Sequence, residues 1–343
     1  MEFNANFTVS LRQSQSKCYR DALAAEIAAG RDLDADFYSK CRINHPLILA
    51  YKARILGGRR YCKEYADWTT FLIEKYGQKR DCLSLGSGIG RVERFLIENG
   101  FTEKFDTIEL NPYMNRVASG VQPRINVQSE DLNFVQLPQE RYDFILCHAV
   151  LHHLINLEHV LFQVNRALKH DGLLLIYEYV GETRWQFAPE RIRTLKRMLP
   201  ERDYRIPQAW EVRGFESVRS GDLLALIEQQ FGTVCEQKVC YGGIYFPFLT
   251  CTKQETDRDL ERIVALDEQL SKTDEIQPCY LMGVYRKSSS PQISATPWSD
   301  TQLAERLAPP SPLHAKVHAF LSESSLGPYL RWAKRLIFRG NKS

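Results

Sequence analysis

The spacing of apolar residues changes near position 78, where a helical pattern gives way to short apolar runs. Before that point, residues 19–29, 36–56 and 65–76 carry apolar side chains every three to four positions, which predicts helices. After it, short apolar runs alternate with helical patterns, as in parallel strands joined by helices. The pattern therefore predicts an α/β protein preceded by a helical segment.

The later elements follow from the same pattern. An amphipathic helix is predicted over residues 157–168, and two more over residues 223–231 and 256–271. The predicted strands are residues 81–85, 107–109, 125–127, 142–147, 173–179, 233–241 and 279–285. No transmembrane-length apolar run is present, which favours a protein made and kept in the cytoplasm.

The first predicted strand runs into Gly86-Ser87-Gly88-Ile89-Gly90. Glycines let the backbone come close to a ligand, and the helix that follows presents unpaired N–H groups. Glu109 then stands at the end of the second strand, where a carboxylate can accept hydrogen bonds from a ribose diol. A dinucleotide-binding turn needs a third glycine at the position of Arg91. The turn therefore indicates a nucleotide-like ligand other than NAD.

This G-x-G-x-G turn and the acid after it resemble motifs I and II of the class I S-adenosylmethionine (SAM)-dependent methyltransferases. The resemblance implies that Gly86, Gly88 and Gly90 line the methionine and ribose of SAM, and that Glu109 binds the ribose hydroxyls. The family often has an acid two residues before the first glycine. Ser84 occupies that position here, so the methionine end of SAM is expected to be held differently.

Two downstream segments extend the resemblance. After the third strand, Asp131 and Leu132 match the positions that contact adenine, although an aspartate that caps a loop is an open alternative. After the fourth strand, residues 148–154 resemble the family segment whose "LHH" lies over the methyl-transfer site. The resemblance implies that His148 contacts the cofactor, and that His152 and the acid ending the fifth strand, Glu178, assist the transfer.

The histidines allow other interpretations. A histidine has a suitable pKa for accepting a proton near neutral pH, which supports His152 as a base. His153 is expected to pack under the following helix. A metal site is disfavoured because no carboxylate completes an H-E-x-x-H pattern with His148 and His152, so no metal is expected.

The resemblance covers about residues 77–287 and implies a Rossmann-like, doubly wound sheet of seven strands, the last antiparallel, with residues 1–76 as an N-terminal helical cap. Residues 181–220 leave the alternation of strands and helices at the edge where α/β proteins bind ligands, which predicts a lid over the acceptor. Arg184 and Trp185 are its candidate acceptor contacts. A basic helix in this lid, which includes Arg191 and Arg193, is equally compatible with a solvated surface.

The C-terminal extension has a different composition. Residues 288–312 are rich in Ser and Pro and are predicted to be a linker. In the tail, residues 313–343, apolar side chains around Trp332 face away from Arg331, Lys334, Arg335 and Arg339, which suits an anionic membrane surface. Docking on the chain's own catalytic domain or on a partner subunit is the alternative, and a homo-oligomer is compatible with the sequence.

Composition limits the functional classes. The 343 residues carry a formal net charge of +3, too small to indicate a nucleic-acid partner, and the nine cysteines form no C-x-x-C pair. We therefore expect a methyltransferase that moves the methyl group of SAM to an oxygen or nitrogen of a small-molecule or glycan-type acceptor. It resembles the bacterial methyltransferases of small-molecule or surface-glycan synthesis, and its expected location is the cytoplasm or the surface of the inner membrane. A SAM-binding protein without transferase activity, or a membrane-peripheral assembly protein with a structural Rossmann-like core, is the alternative.

Overall fold

The computed structural model describes residues 16–29, 42–56, 68–212, 214–253, 255–273, 275–289, 293 and 296–307. The strands are β1 (Cys82–Leu85), β2 (Phe105–Ile108), β3 (Ile125–Gln128), β4 (Tyr142–His148), β5 (Leu168–Tyr179), β6 (Cys235–Tyr241) and β7 (Tyr280–Arg286). The helices are α1 (Lys17–Ala29), α2 (Pro46–Ile55), α3 (Trp68–Tyr76), α4 (Arg91–Glu98), α5 (Pro112–Val121), α6 (Leu157–Ala167), α7 (Pro189–Met198), α8 (Ser220–Phe231), α9 (Tyr245–Cys251), α10 (Asp257–Lys272) and α11 (Asp300–Leu307).

The seven strands form one sheet in the order β3-β2-β1-β4-β5-β7-β6. Strands β1 to β5 pair in parallel, whereas β7 is antiparallel to both β5 and β6. The predicted Rossmann-like α/β fold with an antiparallel last strand is thereby confirmed. The order reverses beside β1, so the carboxyl ends of β1, β2 and β4 meet at one edge, where such sheets bind ligands.

Both faces of the sheet are buried, because alternate residues of each strand point to opposite sides. On one side Phe144 and Leu175 pack with residues of α2 and α3. On the other side Ile145 and Leu174 pack with α6 and α8. Continuous apolar strands such as Leu173–Leu174–Leu175 are therefore explained by helices on both faces.

The N-terminal helices divide into two groups. Helices α2 and α3 cover one face of the sheet, and α2 begins at Pro46, whose fixed φ suits the first helical position. Of the helix predicted over residues 36–56, residues 42–45 precede α2, and residues 36–41 lie outside the described residues. Helix α1 instead packs near the ligand-binding edge, where Tyr19 contacts Phe134 and Phe215.

The prediction of a linker over residues 288–312 is wrong for residues 296–307. These residues include α11, and Leu303 is fully buried in the cluster that contains Tyr19 and Phe215. The Arg219 guanidinium also lies 4.3 Å from the centre of the Trp298 ring. A sequence rich in Ser and Pro still supplies apolar anchors, and burial of Leu303 and Trp298 offsets the entropy of ordering the segment.

The predicted amphipathic tail over residues 313–343 lies outside the described residues. Within the described part of the chain, no helix has both the length and the apolar character required to cross a membrane.

Candidate functional site

The glycine turn after β1 has the backbone conformation that requires glycine. Gly86, Gly88 and Gly90 have φ values of 63°, 55° and 74°, in the left-handed region. A Cβ atom on Gly86 would lie 2.2 Å from a Val150 side-chain carbon, so the turn also packs directly against the segment after β4. The predicted SAM-binding turn and the predicted "LHH" segment are therefore neighbours.

Glu109 follows β2 and is fixed beside this turn. Its two carboxylate oxygens accept hydrogen bonds from the backbone N–H groups of Gly88, at 2.9 Å, and of Asn111, at 2.8 Å. Burial raises the pKa of the Glu109 carboxyl above its ordinary value, and these two hydrogen bonds act against that rise. Each oxygen retains a lone pair that can accept a hydroxyl, as the predicted ribose contact requires.

Sequence reasoning missed Glu93, which supplies a carboxylate near Ser84. The Ser84 hydroxyl donates a 2.6 Å hydrogen bond to Oε1 of Glu93, and the Glu93 side chain is buried. The other oxygen, Oε2, has no hydrogen-bond partner among the described residues. The acid that motif I lacks at position 84 is thus replaced in space by an acid from the first turn of α4.

Glu93 gives a prediction about stability and pH in the absence of SAM. Burial raises the pKa of the Glu93 carboxyl from 4.5 to about 7, and the Ser84 hydrogen bond only partly offsets it. Between pH 4.5 and 7 the unfolded chain loses this proton first, so the folded state loses stability as the pH rises. The melting temperature of Glu93→Gln, relative to the wild type, is therefore expected to increase across this range.

Thermal unfolding at several pH values measures this difference. Glu98→Gln is the matched control, since Glu98 is exposed at the other end of the same helix. A difference between Glu93→Gln and wild type that stays constant with pH would contradict the raised pKa.

Asp131 already has partners at the predicted adenine position. Its Oδ2 accepts a 2.6 Å hydrogen bond from the Tyr19 hydroxyl, and its Oδ1 accepts the Asn133 backbone N–H at 2.9 Å. The alternative interpretation, an aspartate that caps a loop, is therefore present in the structure. Leu132 next to it is buried in the core. The adenine contacts of Asp131 and Leu132 stay a prediction, and α1 covers this end of the site through Tyr19.

His148 ends β4 and lies flat against Tyr177, with ring centres 5.0 Å apart and planes at 10°. Burial lowers the pKa of His148 to about 4, which keeps its imidazole neutral at physiological pH. The predicted contact with the cofactor is compatible with a neutral ring at this edge, and it is not tested by the contacts within the protein.

His152 and Glu178 form a hydrogen-bonded pair. Oε1 of Glu178 accepts the backbone N–H groups of Val150 and Leu151 at 2.6 and 2.7 Å, and Oε2 lies 2.7 Å from Nδ1 of His152. Glu178 is fully buried. A contact of Nδ1 with a carboxylate favours the tautomer that carries its proton on Nδ1, and in that tautomer Nε2 is a hydrogen-bond acceptor. Glu178 thus fixes the orientation of His152, and the assistance of both residues in the transfer stays a prediction.

His153 does not simply pack under a helix, as the sequence suggested. Its Nδ1 lies 2.9 Å from a Glu26 carboxylate oxygen, and its Nε2 lies 3.5 Å from Glu216. Burial alone would lower the pKa of His153, but the carboxylates of Glu216 and Glu26 outweigh burial and raise this pKa to about 10. Sequence reasoning missed Glu26 and Glu216, since neither stands in a motif.

Helix α1 brings Glu26 to this place. Tyr19 and Glu26 are seven residues apart, so they lie on the same face of the helix. Glu26 also accepts the backbone N–H of Phe215 at 3.0 Å, which joins α1 to the insertion after β5. Helix α1 therefore contacts the segments that follow β3 and β4 as well as this insertion.

Arg184 and Trp185, the predicted acceptor contacts of the lid, make contacts within the protein. Nη1 of Arg184 donates to the backbone oxygens of Val212 and Glu216 at 3.1 and 3.0 Å, and burial lowers the pKa of this guanidinium. Trp185 packs edge-on against Phe246, with ring centres 6.4 Å apart. Their contact with an acceptor stays a prediction.

The basic helix of the lid is only in part a solvated surface. Arg193 is exposed, but Arg191 is 3% exposed. Arg191 donates to Glu182 at 2.7 Å and to the backbone oxygens of Gly243 and Gln277 at 2.7 and 2.5 Å. The exposed-surface interpretation is therefore wrong for Arg191, which ties α7 to the segments before α9 and β7.

Comparison with known proteins finds one family model and several similar solved structures. Residues 57–220 match the family model described as "Methyltransferase domain". No curated protein sequence matches the chain. Similar solved structures include a SAM-dependent methyltransferase from Mesorhizobium loti (21% identity, 65% of this chain and 98% of that one, TM-score 0.41). Another is the PH0226 protein from Pyrococcus horikoshii (14% identity, 74% of this chain and 100% of that one, TM-score 0.40). A third is a phosphoethanolamine N-methyltransferase from Haemonchus contortus (13% identity, 74% of this chain and 60% of that one, TM-score 0.38).

The family match supports the cofactor predicted from the sequence, SAM, because it includes the glycine turn, Glu109, Asp131 and His152. Residues 57–220, just under half of the chain, are therefore similar to the methyltransferase-domain family.

Proposed function

We propose that the protein transfers the methyl group of SAM to an oxygen or nitrogen of a small-molecule or glycan-type acceptor that binds against His152. The observation that carries this proposal is the position of His152. Glu178 holds its ring two residues after Val150, which itself packs against the SAM-binding turn at Gly86. A catalytically silent SAM-binding protein would have no need for an imidazole oriented by a buried carboxylate at this place.

The residues would divide the work as follows. When bound, SAM supplies an electrophilic methyl group on a sulfonium. Transfer of this methyl group to the acceptor atom would leave the electron pair of the broken sulfur–carbon bond on the sulfur of S-adenosylhomocysteine. Nε2 of His152 is the atom through which the chain would act on the acceptor's proton, either by accepting it or by holding an ion that makes it more acidic. Helix α1 and the insertion would exclude water and orient the acceptor.

The first test is binding. SAM and S-adenosylhomocysteine are expected to bind in calorimetric titrations and NAD is not, because Arg91 replaces the third glycine of a dinucleotide turn. Glu109→Ala is expected to weaken SAM binding by about 1–3 kcal/mol, since the buried ribose hydroxyls lose their acceptor. Asp106→Ala is the control, because it removes an acid from β2, the strand that Glu109 follows. Micromolar NAD binding without SAM binding would reject the assignment.

The second test looks for the acceptor. The protein is incubated with isotopically labelled SAM and fractions of a bacterial extract, and mass spectrometry detects a labelled methylated product. A small molecule or glycan with one labelled methyl group is the expected product. SAM binding without a labelled product in any fraction would favour the silent SAM-binding alternative.

The tail is the basis of a separate proposal about location. From its sequence we expect Arg331, Lys334, Arg335 and Arg339 each to add about 1 kcal/mol of attraction to an anionic bilayer. Because α11 packs into the described core, the suitable truncation is after Leu307. The truncated protein is expected to lose sedimentation with anionic vesicles and to keep its SAM affinity. Equal sedimentation of both proteins would reject the membrane interpretation.

A further inference from the structure

One cluster among the described residues has the composition of a metal site. His152, His153 and Glu216 each offer a ligand atom, and these atoms lie within 4.8 Å of one another. Two imidazoles and one carboxylate are the ligands of many catalytic zinc ions and of 2-His-1-carboxylate iron sites. A bound ion would displace the proton that the raised pKa otherwise keeps on His153. Sequence analysis predicted no metal site because it considered only His148 and His152, and Glu216 lies more than sixty residues after the histidines.

The distances within the cluster leave room for an ion. Nε2 of His152 lies 3.8 Å from Oε1 of Glu216, and Nε2 of His153 lies 3.5 Å from Oε2 of the same carboxylate. Both distances exceed those of N–H···O hydrogen bonds, about 2.7–3.2 Å. With metal–ligand bonds of about 2.0–2.1 Å, the ligand atoms of a tetrahedral site lie roughly 3.3 Å apart. The full set of ligand atoms spans up to 4.8 Å, so coordination would draw the side chains together by up to about 1.5 Å.

The other ring nitrogen of each histidine lies close to a carboxylate. Nδ1 of His152 lies 2.7 Å from Glu178, and Nδ1 of His153 lies 2.9 Å from Glu26. A carboxylate on Nδ1 fixes the orientation of the ring and directs Nε2 to the metal, as in carboxylate–histidine–zinc arrangements. Glu178 therefore holds the His152 ring by a hydrogen bond, whereas Glu26 pairs with His153 by proximity of charge without a formed hydrogen bond at Nδ1. In both rings Nε2 is the nitrogen that lies near Glu216.

Glu216 is held in place by its surroundings. Its backbone oxygen accepts from Arg184, and its Oε1 accepts a 2.6 Å hydrogen bond from the Ser217 hydroxyl. Ser217 is fully buried and has a φ of 50°, a conformation that a non-glycine residue adopts at a cost. The insertion therefore presents this carboxylate in a fixed orientation.

We propose that His152, His153 and Glu216 bind a divalent transition-metal ion such as zinc beside the methyl-transfer site. Three protein ligands leave at least one position free for water or an acceptor oxygen. The role of the ion rests on the proposed function: an acceptor hydroxyl bound to it would lose its proton more readily, and the proton would pass to water because Nε2 of His152 is then a ligand. Metal binding itself is independent of the proposed function.

The full-length protein, treated with a chelator and dialysed, provides the test. Calorimetric titration with Zn²⁺ is expected to show one site per chain, and titration with Co²⁺ should give the visible absorption of a four- or five-coordinate complex. His153→Ala and Glu216→Gln are each expected to weaken Zn²⁺ binding by about tenfold or more. His170→Ala is the control, since His170 is a 95% exposed histidine outside the cluster. Circular dichroism confirms that each variant is folded, and Glu216→Gln, which keeps the side-chain shape, decides the outcome if His153→Ala unfolds.

Two results would overturn the proposal: no saturable Zn²⁺ or Co²⁺ binding, or binding that is unchanged in a folded Glu216→Gln variant. SAM titration of the chelator-treated protein separates this outcome from the proposed function. Unchanged SAM binding without metal binding rejects only the metal site, whereas loss of SAM binding in both forms rejects the proposed function.

Discussion

Replacement of His152 by alanine is expected to lower the rate of methyl transfer by about a hundredfold, with SAM affinity unchanged. Proton transfer by a positioned side chain contributes on this order, and a metal ligand at the same nitrogen would have an effect of at least similar size. The predicted SAM contacts, Glu109 and the glycine turn, are held together by the Gly88–Glu109 hydrogen bond without His152, so the equilibrium constant for SAM should stay the same. Single-turnover rates with the acceptor from the labelling experiment, together with calorimetry, measure the two quantities.

Two variants complete this experiment. Glu178→Gln keeps an oxygen that can accept the Val150 and Leu151 N–H groups, but its amide cannot replace the carboxylate at Nδ1 of His152. Its rate should fall and the pH dependence of the rate should change, as expected of a positioning residue. His170→Ala should retain the wild-type rate. An unaltered rate in His152→Ala would remove His152 from the mechanism and leave proximity as the source of catalysis.

Replacement of Arg191 by methionine is expected to lower the free energy of unfolding by about 3 kcal/mol, which is roughly a hundredfold in the equilibrium constant. The guanidinium is buried, pairs with Glu182 and donates to the backbone oxygens of Gly243 and Gln277. Methionine fills similar space but leaves these buried acceptors without a donor. Urea unfolding followed by circular dichroism measures the change.

Arg193→Met is the matched control, because Arg193 lies on the same helix and is exposed, in a surface pair with Glu190. Its effect should be below about 1 kcal/mol. Equal effects of the two substitutions would show that Arg191 does not join the insertion to the sheet in solution.

The sequence by itself determined the sheet, the glycine turn and the place of Glu109 beside that turn. Strand periodicity is local, so the apolar runs around Leu83, Ile145 and Leu174 predict buried strands whatever their neighbours are. The glycine turn is equally local, because Gly86, Gly88 and Gly90 each adopt a φ that other residues disfavour. Glu109 could be predicted because it stands at a fixed distance from that turn, at the end of the adjacent strand.

Only the tertiary structure determined which side chains contact His152, His153 and Asp131. Glu26 and Phe215 are 189 positions apart in the chain, and Tyr19 and Asp131 are 112 apart, so no spacing rule connects them. Their contacts depend on the path of α1 along the edge of the sheet, which is set by packing of Tyr19 and Leu303 with Phe215. Glu93 could not be recognised from the sequence because acids are common in the first turn of a helix, where they interact favourably with the helix dipole. Only its burial and the hydrogen bond that it accepts from Ser84 distinguish it. Local patterns fix backbone conformation, whereas the burial and pairing of charged groups follow from which surfaces the folded chain brings together.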